Sequence, residues 1–78
     1  MFFVKKIYFE VLAYTNVNDR PDFMEKFANE KDAGRCGRSI KDRYMRVEVN
    51  AVYVDAEDEN NVLDGKLVSA WENGIKTA

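Results

Sequence analysis

Histidine is absent from this 78-residue sequence, and with it goes the commonest general base and metal ligand at neutral pH. A Ser-His or Cys-His nucleophile is excluded, as are zinc sites built on histidine. The single cysteine, Cys36, cannot supply a sulfur set in their place. One cysteine also forbids an intramolecular disulfide, the staple that a secreted domain of this size usually needs. No apolar run approaches the ~20 residues that span a bilayer. The opening MFFVKKIYFEVLAY is apolar, but Lys5, Lys6 and Glu10 interrupt it, so it does not read as the core of a signal peptide. These absences point to a cytoplasmic protein, in the host cytoplasm if virus-encoded, that uses no cofactor or metal, enters no membrane and is not an enzyme.

What is present fits one globular domain spanning residues 1–78. Hydrophobic residues make up 46% and charged residues 33% of the chain, enough apolar surface for a thin core. Many of these residues are β-branched or aromatic, which favours sheet. The formal net charge of −2 rules out a polycation, yet the charge is unevenly placed. Arg35, Arg38, Lys41, Arg43 and Arg46 crowd into a stretch where Asp42 is the only acid. The chain beyond it carries Glu48, Asp55, Glu57, Asp58, Glu59, Asp64 and Glu72 against Lys66 and Lys76. A polarised surface of this kind steers a partner toward one side.

Along the chain, alternation from Phe2 to Tyr14 predicts a half-buried strand, with Tyr8, Glu10 and Tyr14 on its polar side. Thr15 to Asp19 reads as a turn. Pro21 suits the first turn of a helix, and Phe23 and Phe27 four residues apart extend it to Ala33, where Gly34 is a natural stop. A second strand runs from Arg43 to Asp55, its outer side carrying Arg46 and Glu48. The phase blurs near Asn50 and Ala51, as a bulge or burial on both faces would produce. Asp55 to Asn61 reads as an acidic turn. Leu63, Leu67, Ala70 and Trp71 match helical spacing, with Asn73-Gly74 as its C-terminal cap. The alternative is a hairpin turning at Asp64-Gly65, and the helix is the expectation. The fold class is therefore α+β: two long antiparallel strands packed on a helix, in the order β-α-β and then α or a β-hairpin. A two-stranded sheet leaves exposed edges, which a homodimer would cover.

Gly34 to Gly37 is expected to form a tight basic loop. The stretch GRCGRSIK resembles the Gly-x-x-Gly loop of KH domains, with Ile40 three residues after the second glycine. The resemblance implies a loop between two helices that clamps a nucleic-acid backbone through Gly34, Arg35, Gly37, Arg38, Lys41 and Arg43. The leading expectation is of another class: a non-enzymatic protein-binding module, of the accessory or inhibitor kind found in phages and mobile elements. Its contacts would come from Tyr8, Glu10, Tyr14, Arg46 and Glu48 on the outer strand face, or from Asp55, Glu57, Asp58 and Glu59 in the acidic turn. Aromatics and arginine dominate such interfaces.

Overall fold

The computed structural model describes residues 5–16 and 20–78. The expected turn at Thr15–Asp19 and the start of the first strand at Phe2 lie partly outside the described residues. Strand β1 spans Lys5–Tyr14, β2 Phe23–Phe27, helix α1 Glu30–Ile40, β3 Arg46–Asp55, β4 Asp58–Glu72 and β5 Ile75–Lys76. All strand pairs are antiparallel, in the order β2-β1-β3-β4-β5. The expected β-α-β core on a helix is overturned by this five-stranded sheet, which carries one short helix on one face.

The long strands form where alternation predicts them, and the register between β1 and β3 is unbroken from Lys5↔Asp55 to Tyr14↔Arg46. The remaining elements depart from expectation. Phe23 and Phe27 lie on a strand, paired with Ala13 and Phe9. Residues four apart share one side of a strand as well as one side of a helix, so their spacing never separated the two. The helix begins instead at Asn29, whose side-chain Oδ1 accepts a 2.9 Å bond from the Asp32 amide. Such a cap typically stabilises by about 1 kcal/mol. Glu30 and Asp32 in the first turn and Arg38 in the last complement the helix dipole.

Helix α1 runs straight through Gly34 and Gly37, so the expected loop there does not exist. Its buried residues are Ala33, Gly37 and Ile40. They meet Val11, Ala13, Val47, Val49 and Trp71 of the sheet, all at most 5% exposed. Ala33 and Gly37 keep the helix close to the sheet, and Gly37 lets it lie on the Trp71 indole. A Cβ at Gly37 would stand 2.8 Å from Trp71 Cζ3, 3.1 Å from Cη2 and 3.3 Å from Val49 Cγ2.

Gly34 has no such duty. A Cβ there would come no closer than 3.6 Å to the Arg38 guanidinium. Glycine costs a helix interior roughly 0.8–1 kcal/mol relative to alanine, so Gly34→Ala is expected to stabilise the fold by about 0.5–1 kcal/mol. A urea titration followed by circular dichroism would read this as a higher midpoint at unchanged slope.

The expected C-terminal helix is also corrected. Residues 58–72 are a single strand, and the turn expected at Asp64-Gly65 lies in its middle. The hairpin sits at Asn73-Gly74, with φ of 50° and 82°. Two left-handed residues in succession are what a type I′ turn requires, and Asn-Gly supplies them most readily. Extra residues in β4 shift its register against β3 next to Val49/Asn50 and Tyr53/Val54. The phase change expected near Asn50 and Ala51 is therefore real. Ala51 and Val52 are both buried although they point to opposite faces.

Candidate functional site

The face of the sheet opposite the helix is built from cross-strand rows. Tyr14, Arg46 and Glu72 form the first row; Met24, Leu12, Glu48 and Ala70 the second; Lys26, Glu10, Asn50 and Leu67 the third; Tyr8, Val52 and Gly65 the fourth. The five residues expected on the outer strand face, Tyr8, Glu10, Tyr14, Arg46 and Glu48, therefore share one surface. Each is half-buried.

At one end of this face is a cleft of about 400 Å³ lined by Tyr14, Asn16, Met45, Arg46, Glu48, Glu72 and Asn73. Arg46 joins its two carboxylates. Its Nε donates to Glu48 Oε2 at 2.7 Å and its Nη1 donates to Glu72 Oε1 at 2.6 Å. Bonding to Glu48, outweighing partial burial, holds the guanidinium charge more firmly than usual. One cation thus answers two carboxylates, leaving the cleft one negative charge in excess. Burial pushes the Tyr14 phenol up, Glu48 adds to the shift, and Arg46 opposes it. The phenol stays neutral at physiological pH and offers its ring beside the carboxylates.

Farther along the face, the Lys26 ammonium stands 4.9 Å from the centre of the Tyr8 ring, a cation–π contact that spends this aromatic inside the molecule. The expected acidic surface is also partly used internally. Glu59 pairs with Lys6 across the β3–β4 end, and that bond holds its carboxyl below the ordinary value. Asp55 accepts from the Glu57 amide and Asp58 from the Asn60 amide, as turn-forming aspartates do. Asp55 closes β3, Glu57 sits in the turn, and Asp58 opens β4. Among the described residues no three carboxylate or thiol groups are grouped to hold a metal ion, and no helix is long and apolar enough to cross a membrane.

The basic cluster is divided by the fold. Gly34, Arg35, Gly37 and Arg38 are helical, Lys41 and Arg43 follow the helix, and Arg46 belongs to the cleft. Lys31, Arg35 and Arg38, at i, i+4 and i+7, form the solvent stripe of α1, opposite Ala33, Gly37 and Ile40. Lys41 reaches back to Asp42 and to the Gly74 carbonyl at 3.3 Å. Cys36 is half-buried, and desolvation with help from Glu25 pushes its thiol up. That is the direction of an inert thiol, and its position between two arginines in sequence does not lower it.

Sequence reading missed Asn16, Met45, Glu72 and Asn73 as cleft residues. The pairing of Arg46 with Glu72 depends on the β3–β4 register, which a helical reading of the last segment hides. No family model matches the chain, no curated protein is similar to it, and no solved structure matches its fold.

Proposed function

We propose that this chain is a non-enzymatic protein-binding module of the accessory or inhibitor kind, whose cleft receives a basic side chain of its partner. The observation that supports this is the charge count at the cleft. Arg46 neutralises only one of Glu48 and Glu72, and the Tyr14 ring flanks them. An incoming guanidinium would find a carboxylate with acceptor sites to spare and an aromatic surface to stack on. Glu72 is the accessible arm, its side chain 54% exposed against 21% for Glu48. The acidic end of the chain adds attraction for a basic partner at longer range.

A second reading is favoured by the stripe Lys31, Arg35 and Arg38. None of the three is in an ion pair among the described residues, so the helix could lie along a phosphate backbone. It would do so without the glycine-loop clamp of the KH resemblance.

Capture with the full chain as bait, comparing wild type with Glu72→Lys and Tyr14→Ala, tests the first reading. A partner held by the cleft should be retained at least tenfold less by Glu72→Lys. Retention unchanged in both variants would sink the cleft. A gel shift with RNA and DNA at two salt concentrations tests the second, because phosphate contacts weaken steeply as salt rises. If wild type shifts nothing at low salt, or Arg35→Ala/Arg38→Ala shifts as wild type does, the helix stripe is not a nucleic-acid site.

A further inference from the structure

Strand β4 has a second neighbour only at its end. β5 pairs with Trp71 and Glu72 alone, and the terminal Thr77 and Ala78 bond to Ala70. From Asp58 to Ser69 the outer edge of β4 has no strand beside it among the described residues. A long edge is a template for another strand, and this one displays unusual apolar surface. Val62 is 58% exposed, Leu63 39% and Leu67 42%.

The sequence along that edge reads nearly the same in both directions: Val62-Leu63-Asp64-Gly65-Lys66-Leu67-Val68. We infer that this edge is the docking site for a second copy of the chain, paired antiparallel about a twofold axis at Gly65. In that register Leu63 meets Leu67 of the second copy and Asp64 meets Lys66. The twofold repeats each match on the other side of the axis.

Charge selects the register. Sliding the copies by one residue sets Asp64 opposite Gly65 or Leu67. Sliding by two in either direction sets Asp64 against Asp64, or Lys66 against Lys66. Only the centred register gives two opposite-charge pairs and two leucine pairs. Among the described residues neither Asp64 nor Lys66 is in an ion pair, although Asp64 Oδ1 accepts from the Gly65 amide at 2.8 Å.

The backbone suits the same centre. Asp64, Gly65, Lys66 and Leu67 pair regularly with Tyr53, Val52, Ala51 and Asn50, and the register shifts that flank them leave Leu63 and Val68 as the extra residues. The axis therefore passes through a straight stretch of ladder. Gly65 places no side chain on it, and the nearest atom to a Cβ there would be Ala51 O at 3.9 Å. This surface is distinct from the Tyr14–Glu72 cleft, so the two assignments stand or fall separately.

Sedimentation equilibrium over a concentration series of the full chain tests the assignment. Wild type should show a monomer–dimer equilibrium. Asp64→Lys and Lys66→Asp each place like charges opposite one another twice, and each should raise the dimer dissociation constant about tenfold or more. The double variant Asp64→Lys/Lys66→Asp restores both pairs and should return to the wild-type constant. A mixture of the two single variants should form a heterodimer, since each then meets its complement. All substituted side chains are exposed, and circular dichroism confirms the folded state. A wild type that stays monomeric throughout overturns the assignment. So does a dimer indifferent to the single variants, or one that neither the double variant nor mixing restores.

Discussion

Replacing Trp71 by alanine is expected to destabilise the protein by about 3–5 kcal/mol, the usual range for deleting a buried tryptophan. Domains of ordinary size are held by only about 5–15 kcal/mol, and a short chain lies toward the low end. Much of the Trp71→Ala population should therefore be unfolded near 37 °C. The magnitude follows from what surrounds the indole. The fully buried side chains around it are valines and alanines, too small to fill the space that the indole leaves. The helix rests on this ring through a glycine, and its removal leaves a void between sheet and helix. Because Trp71 is the only tryptophan, unfolding of this variant must be followed by circular dichroism. A loss below ~1 kcal/mol would mean that the ring is not the support of the helix.

Gly37→Ala is expected to be destabilising by about 1–3 kcal/mol, although alanine is the better helix former by about 1 kcal/mol. Its methyl would lie within 3.1 Å of two atoms of the indole's six-membered ring. The indole is held against the sheet and the helix must lift. The opposite sign expected at Gly34, three residues away in the same helix, makes the pair a controlled comparison. Trp71→Phe removes the obstructing part of the ring, so Gly37→Ala should cost less in that background than in wild type. A double-mutant cycle measures the coupling directly. If the two effects simply add, the contact is not what excludes a side chain at Gly37.

These contacts show which parts of the fold could be read in advance. β1 and β3 were legible because one face of each is buried along most of its length, and burial on one face writes period two into the sequence. Tyr8, Glu10, Tyr14, Arg46 and Glu48 were legible as one surface for the same reason. The helix was misplaced because its two glycines read as breakers. Their use in packing depends on Trp71, far off in sequence. The signal that would have found it was Asn29 with Asp32 at the third helical position. β4 was read as helix because its irregular pairing with β3 breaks alternation. Leu63, Leu67, Ala70 and Trp71 are then left at spacings of four, three and one. Asn73-Gly74 supplied residues suited equally to ending a helix and to turning a hairpin, and only the partner strand decides between them.

The strand order also governs how the chain assembles. β3 and β4 are joined by Ala56 and Glu57, and a hairpin so tightly linked closes in about 1–10 μs. β1 can reach its place beside β3 only after everything between Tyr14 and Arg46 has been looped out, β2 and the helix included. Closing so long a loop before any contact rewards it is the slow event in folding. Until that central seam zips, β2 can pair with β1 alone and the helix has only part of its bed.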